Sequence, residues 1–215
     1  MRSAIDFAKY FMNKGFNETT FDGRKKLQKL LFFAYLIHLA RTGTPLFSEE
    51  ILAFEHGCVV EEVRKDYAPL VNASKNFKPS FDESEDDTLK ITLDIFGDVS
   101  ACDLSDINHK FNFWDDAYNA SKNNNRYGEY NKSKAVISPR NMENELEPIR
   151  NVLVAYEQTK NNKDVIEQIN GIKFHIDPSI DITDEFIKKL EDYTKNELDE
   201  TSYAVYYDEE ELVIY

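Results

Sequence analysis

The sequence has few of the residue types from which catalytic and cofactor sites are commonly built. Its seven glycines are scattered, and none forms the G-x-G-x-x-G or G-x-x-x-x-G-K spacing that holds phosphate groups. Its two cysteines lie too far apart for the Cys-x-x-Cys spacing of a zinc site, and its four histidines form no H-E-x-x-H motif. We therefore expect no phosphate loop, no metal site and no cofactor.

A long hydrophobic run is also missing. The longest apolar stretch, Leu30 to Ala40, contains His38 and is shorter than the roughly 20 residues that cross a bilayer. The N-terminal segment is amphipathic and lacks the apolar centre of a secretory signal. We therefore expect a soluble cytoplasmic protein without membrane contact, in which Cys58 and Cys102 stay reduced.

Positive charge is scarce and unevenly distributed. Forty acidic residues against 26 basic ones give a net charge of −14. Residues 1–41 carry eight basic against three acidic side chains, whereas residues 163–215 carry five basic against 15 acidic ones. Such a surface repels a nucleic-acid backbone, so nucleic acid is not an expected partner. It favours encounter with a basic protein, although it also fits a role in solubility alone.

Hydrophobic periodicity predicts a mainly α-helical protein. The most pronounced element is a nearly all-round apolar central helix, which starts among capping residues at 17–22 and ends at Gly43 before Pro45. Polar segments at 72–87 and 123–141 are predicted loops, and 89–98 fits either a strand or a helix. The other predicted helices are 1–14, a short one at 48–54, 59–71 ending near Pro69, 100–109, 114–120 and 144–162.

The composition changes after residue 162. A short strand is predicted at 170–178, a helix with a Thr/Asp cap at 182–198, and a hairpin or interrupted edge strand at 202–215. The sequence therefore predicts a compact helical domain over 1–160 and a small acidic α+β extension over 163–215, built from a helix and short strands.

The stretch FEHGCVVEEV at 54–63 is where thiol chemistry has to be considered. His56 and Cys58 are two residues apart, a spacing at which side chains diverge in a helix. The glutamates that follow would raise the pKa of the thiol rather than lower it. We therefore interpret Gly57 as a turn residue whose apolar neighbours pack on the central helix, and we expect no enzymatic activity.

Candidate partner-binding residues are polar or aromatic side chains without an evident core role. His109 and Trp114 fit a binding cluster, or equally a core tryptophan beside a histidine that ends a helix. The acidic runs at 82–87 and 208–211 fit divalent-cation binding less well than they fit solvated faces. The residues selected are Lys25, Lys29, His56, Glu61, His109, Trp114, Asp208 and Glu209.

Three blocks taken together resemble the signature region of the Panacea (SocA-like, phage-associated) antitoxin family. They are KLQKLLFFA at 26–34, GTPLF at 43–47 and AFEHGCVV at 53–60. A weaker match follows, in which Leu104, Ser105, His109 and Trp114 fill the family pattern. Cys58 stands where the family usually has proline. The resemblance covers about residues 5–120.

The resemblance implies a compact, mostly helical, non-enzymatic domain that neutralises the toxin of a two-gene toxin–antitoxin module by direct protein binding. A proteolytic adaptor that delivers its partner to a cytoplasmic protease is an alternative, also implied by the family. The acidic surplus fits a basic toxin. The basic first turns of the central helix leave a nucleic-acid-binding regulator as a further alternative, which the net charge disfavours.

Overall fold

The computed structural model describes residues 2–78, 80–122, 130–161, 165–195, 201–208 and 211–214. The chain divides into two compact units, Met1–Leu153 and Val154–Tyr215. The described residues are mainly helical, with one small sheet in each unit, which is compatible with the predicted fold class. The boundary between the units falls within a helix, and whether 1–160 and 163–215 are separate domains stays a prediction.

The first unit contains helices around a small three-stranded sheet. Its helices are α1 (Ala4–Asn13), α2 (Phe21–Thr42), α3 (Glu61–Lys65), α4 (Tyr67–Ser74), α5 (Glu83–Phe96), α6 (Ala101–Asn108), α7 (Asn112–Lys122), α8 (Lys132–Ala135), α9 (Pro139–Glu143) and α10 (Glu147–Asn161), the last of which runs into the second unit. Its strands are β1 (Ile51–Phe54), β2 (Gly57–Val60) and β3 (Val136–Ile137).

Helix α2 is the centre of this unit, as its composition predicts. Every residue from Leu27 to Leu39 is buried, and the helix contacts α1, α5, α6 and β2. The Thr20 side chain caps its start by accepting the Gly23 amide hydrogen, and Gly43 ends it in the left-handed conformation. A helix buried on all sides needs neighbours on all sides, which fixes how the shorter elements are arranged.

The acidic run at 82–87 belongs to the beginning of α5 rather than to a loop. Asp82 and Glu85 form a reciprocal capping box, and Glu85 also pairs with Arg2 at 2.7 Å. Negative charge is favourable at this helix end because it faces the positive end of the helix dipole. The prediction of a loop over 72–87 is therefore wrong at both ends, since α4 also extends to Ser74. The ambiguous segment 89–98 is helical up to Phe96.

The segment 48–54 is another correction, because Ile51–Phe54 is strand β1 and not a helix. β1 pairs antiparallel with β2 on one side and with β3 on the other. A four-residue apolar run fits a buried strand as well as one helical turn, so periodicity could not decide. Val59 and Val60 likewise belong to β2, and the helix predicted from 59 begins only at Glu61. Pro69 does not end that region, since it lies in the first turn of α4, where its missing N–H is tolerated.

The described residues of the second unit comprise the end of α10, a four-stranded sheet and one further helix. Its strands are β4 (Val165–Ile169), β5 (Ile172–Ile176), β6 (Ser202–Asp208) and β7 (Glu211–Ile214), in that order across the sheet, and its helix is α11 (Asp184–Tyr193). β5 and β6 are parallel and are connected through α11, and the two outer pairs are antiparallel hairpins. Phe186 and Leu190 of α11 pack against Phe174, Tyr203 and Val205 of the sheet.

Candidate functional site

The polar residues of the first signature block connect α2 to the rest of the unit. Lys26 donates to the carbonyl oxygens of Phe96, at 2.7 Å, and of Val99, at the end of α5. The Gln28 amide forms two hydrogen bonds with the backbone of Val60, accepting from its N–H at 2.8 Å and donating to its carbonyl at 3.3 Å. Lys26 therefore joins α2 to the end of α5, and Gln28 joins α2 to strand β2. Both side chains have a structural role.

Lys29, which was selected as a polar residue without an evident core role, lies inside the fold, and its binding of a partner stays a prediction. The residue is 1% exposed. Its Nζ donates to Asn108 Oδ1 at 3.1 Å and lies 3.4 Å from the carbonyl oxygen of Cys58. Burial lowers the pKa of Lys29 to about 8, because the charged form loses its hydration. The side chain holds the hairpin against α2 and α6.

Cys58 is fully buried beside the same network. Burial raises the pKa of its thiol to about 12, so the group is protonated at neutral pH. Asn108 binds it twice: Oδ1 accepts the Cys58 amide hydrogen at 2.5 Å, and Nδ2 donates to Sγ at 3.3 Å. A protonated, enclosed thiol in this position fills space and cannot reach a substrate from solvent.

His56 and Lys25 meet on the surface of the unit. The exposed His56 ring lies edge-on to Phe21, with the ring centroids 5.3 Å apart. The Lys25 ammonium lies 5.5 Å from the centre of the same Phe21 ring and pairs with Asp22 at 3.3 Å. Two residues that are 31 positions apart in sequence are thus brought to one exposed aromatic side chain.

Glu61 is buried and is engaged in a local ion pair. Its two carboxylate oxygens accept from Arg64 at 2.7 and 3.0 Å, and Lys65 lies 3.3 Å from one of them. The hydrogen bonds from Arg64 are the main reason that the pKa of Glu61 is lowered. The function of Glu61 that follows from these contacts is to orient Arg64, whose guanidinium also lies 5.6 Å from the centre of the Phe54 ring.

His109 and Trp114 stack on each other beside the hairpin. Their ring centroids are 4.0 Å apart, and Trp114 Nε1 donates to the Phe54 carbonyl at 3.0 Å. His109 Nε2 is buried without a hydrogen-bond partner among the described residues. Burial, and then the nearby Lys29 charge, lower the pKa of His109, so the imidazole is neutral at pH 7. Trp114 is 8% exposed, which agrees with its interpretation as a core anchor.

The last two candidate residues belong to the second unit. Asp208 ends strand β6 in the second unit, where its backbone pairs with Glu211. Glu209 lies outside the described residues. The structure therefore collects Lys25, Lys29, His56, Glu61, His109 and Trp114 around the β1–β2 hairpin, and three of them are buried.

A cleft of about 420 Å³ opens between the first turns of α2 and the β1–β2 hairpin. Lys25, Lys29 and His56 line it together with residues that sequence reasoning did not select, namely Phe21, Arg24, Gln28, Phe54, Glu55, Val59, Arg64 and Tyr67. Phe21 is 56% exposed, which is unusual for so large an apolar side chain. The signal that could have identified the cleft was the run of basic residues at the positive end of α2.

The described part of the chain contains no cluster of three or more His, Cys, Asp or Glu side chains arranged to hold a metal ion. Among the described helices, none is both long enough and apolar enough to span a membrane.

The first unit is thus a helical domain in which a polar block on a central helix holds a β-hairpin, with a cationic and aromatic cleft beside that hairpin. Residues 27–115, from α2 into α7, match the family model described as "Antitoxin SocA-like, Panacea domain". This match confirms the resemblance predicted from the signature blocks. No curated protein and no solved structure matches the chain.

Proposed function

We propose that this protein is an antitoxin of a two-gene toxin–antitoxin module, which neutralises a cognate toxin in the cytoplasm by direct binding and without enzymatic chemistry. The observation that carries the proposal is the match of residues 27–115 to the SocA-like antitoxin domain. A phage or another mobile element is the genetic setting that the proposal implies.

The chemistry of the matched region supports binding over catalysis. Gln28 and Lys29 are buried and bonded to the hairpin, and the Cys58 thiol, with a pKa of about 12, is enclosed and protonated. The side chains that remain available to a partner, such as Phe21, Arg24 and His56, form a recognition surface in a concave site and not a nucleophile with its base.

The net charge of −14 supports a toxin that is basic overall. Long-range attraction between opposite net charges raises the rate of encounter, an effect that salt screens. The toxin of this proposal is therefore a basic protein, and its association with the antitoxin slows as ionic strength increases.

Co-expression with the neighbouring reading frame tests the proposal. We expect that frame to arrest growth alone, to be harmless in the presence of this protein, and to co-purify with it. Absence of toxicity from the neighbouring frame together with absence of a complex would reject the proposal.

The proteolytic adaptor is the second candidate, and the acidic unit outside the matched region is the feature that favours it, because an adaptor needs a surface beyond the one that holds its substrate. The half-life of the toxin separates the two functions. Masking leaves that half-life unchanged or longer, whereas delivery to a protease shortens it whenever this protein is present.

A further inference from the structure

We propose that the cleft between the first turns of α2 and the β1–β2 hairpin is the docking site for an acidic peptide segment that carries an apolar anchor residue, presented by the partner protein. This inference rests on the proposed function, since it assigns the surface through which the toxin is held and the chemistry of the segment that enters it.

The charge of the cleft is opposite to that of the whole chain. Four basic side chains line it, Arg24, Lys25, Lys29 and Arg64, against the single acidic side chain of Glu55. The chain as a whole carries −14. Charge complementarity at this surface therefore requires a negative segment, even in a partner that is basic overall.

The neighbouring carboxylates do not neutralise all of these cations. Asp22 pairs with Lys25 and Glu61 pairs with Arg64. Arg24 is exposed, and its guanidinium forms no hydrogen bond or ion pair with the residues that the structure describes, although its backbone N–H donates to the Thr20 carbonyl at 3.1 Å. It also stands in the first turn of α2, at the positive end of the helix dipole, where a cation without an anion is unfavourable. A carboxylate of the partner removes this conflict.

The cleft also offers an apolar contact. Phe21 projects at its rim with 56% of its surface exposed, held edge-on by His56. Phe54, Val59 and Tyr67 line the interior. Exposed aromatic residues and arginines next to a pocket are the side chains that dominate protein–protein binding energy. A volume of about 420 Å³ accommodates one or two side chains of a partner segment.

A peptide fits these features better than a nucleotide or a nucleic acid does. The cations are distributed over two helices, with Arg24 and Lys25 on α2 and Arg64 on α3, and two of them already have carboxylate partners, Asp22 and Glu61. The Gly23 amide in the first turn of α2 already donates to Thr20 Oγ1, so it is not available to a phosphate. A longer phosphate backbone would extend from the cleft onto an acidic protein.

The test uses the full chain and two variants of the cleft, Arg24→Glu and Phe21→Ala. Arg140→Glu is the matched control, because Arg140 is an exposed arginine of the same unit that does not line the cleft. Folding of all variants is checked by circular dichroism and thermal unfolding. A random peptide library is selected on the wild-type chain, and the enriched peptides are labelled and titrated by fluorescence anisotropy at low and high salt.

We expect the enriched peptides to be acidic with one or more apolar residues. Their affinity should fall at least about tenfold in Arg24→Glu, a loss of about 1.4 kcal/mol, and it should also fall in Phe21→Ala while remaining unchanged in Arg140→Glu. High salt should weaken binding to the wild-type chain. Enrichment of neutral or basic peptides, absence of enrichment, or equal affinity for Arg24→Glu would overturn the inference. So would ATP or inorganic phosphate bound in an Arg24-dependent manner without any acidic peptide being selected.

Co-purification of the toxin with each variant separates this inference from the proposed function. If Arg24→Glu retains and neutralises the toxin as the wild type does, the function stands and the docking site is wrong. If the neighbouring frame is neither toxic nor bound while acidic peptides bind in an Arg24-dependent manner, the proposed function is wrong and the chemistry of the cleft stands.

Discussion

The Gly57 backbone passes so close to the Lys29 ammonium that residue 57 has no room for a side chain. A Cβ atom at this position would overlap Lys29 Nζ and Asn108 Oδ1, and Gly57 adopts a φ of +96°, which residues other than glycine rarely adopt. The Lys29 ammonium therefore fits beside the hairpin only because residue 57 is glycine, and the buried ammonium in turn excludes a side chain at residue 57. This explains why a lysine that looks available in the sequence lies inside the fold.

Gly57→Ala should destabilise the protein by more than the strain of an alanine at a positive φ alone. The unfavourable φ costs about 1–3 kcal/mol, and displacement of Lys29 and Asn108 adds to it. Gly43→Ala is the matched control, since Gly43 also has a positive φ but has nothing within 4 Å of the new Cβ. Urea unfolding monitored by circular dichroism measures both changes. Equal losses in the two variants would show that the close approach to Lys29 is energetically unimportant.

The charge of Lys29 should give the stability a defined pH dependence. Burial lowers the pKa of Lys29 from 10.5 to about 8, so between these values the unfolded chain binds more protons than the folded chain. Below pH 8 Lys29 is charged in both the folded and the unfolded chain, so the free energy of unfolding is lowered by the full cost of burying that charge. As the pH rises from about 8 to 10.5, the free energy of unfolding should increase by up to roughly 3 kcal/mol.

Lys29→Met isolates this effect, because all other titrating groups are shared with the wild type. Chemical unfolding of both proteins across pH 7–11 should show the wild type gaining stability relative to the variant. The neighbouring Cys58 thiol, with a pKa of about 12, stays protonated over most of this range. If the difference in free energy of unfolding between the wild type and Lys29→Met does not change with pH, the prediction is wrong.

Gln28→Leu should weaken the attachment of strand β2 to helix α2. It removes both hydrogen bonds to Val60 and leaves a buried N–H and a buried carbonyl without those partners. Each unsatisfied group costs about 1–3 kcal/mol, so for the two groups together we expect a loss of about 2–6 kcal/mol in urea unfolding. Amide hydrogen exchange at Val60 should accelerate. The same change at exposed Gln158 serves as the control and should alter stability by less than about 0.5 kcal/mol.

Trp114→Ala should raise the pKa of His109. The tryptophan ring covers the imidazole at a centroid distance of 4.0 Å, and its removal admits water, which favours the protonated form. Trp114→Phe keeps an aromatic cover while losing the hydrogen bond to the Phe54 carbonyl, so the pKa should change less. The His109 ring signals in an NMR pH titration measure both values. An unchanged pKa in Trp114→Ala would show that stacking is not what keeps His109 from protonation.

Elements with a long or capped pattern were predictable from the sequence, and among the short ones the β5 strand and the β6–β7 hairpin were predicted while β1 and β4 were not. Helix α2 combines a capping threonine, a continuous apolar interior and a terminal glycine, and these signals agree with one another. Strand β1 has only four apolar residues, and its conformation depends on pairing with β2 and β3, which are distant or ambiguous in sequence. Strand β4 was not predicted, although the Asn170–Gly171 turn after it is a strong hairpin signal.

The sequence did not predict the contacts that the candidate residues make. Lys25, Lys29 and His56 were selected as polar residues without an evident core role, and the structure brings them together at one cleft, while their binding of a partner stays a prediction. Sequence alone could not tell that Lys25 keeps 14% of its side chain exposed while Lys29, one helical turn later, is 1% exposed. That difference depends on the approach of the hairpin and Asn108 to one side of α2, a long-range contact. Phe21 and Arg24 were missed for the same reason.

Helix α2 carries two sets of residues on adjacent positions, Gln28 and Lys29 directed to the hairpin and Phe21 and Arg24 directed to the solvent. On the proposed docking site, partner specificity and folding therefore depend on different residues of this helix. Libraries that randomise Phe21, Arg24 and His56 while keeping Gln28, Lys29 and Gly57 should yield folded proteins with altered partners, so one scaffold can be redirected without redesign of its core.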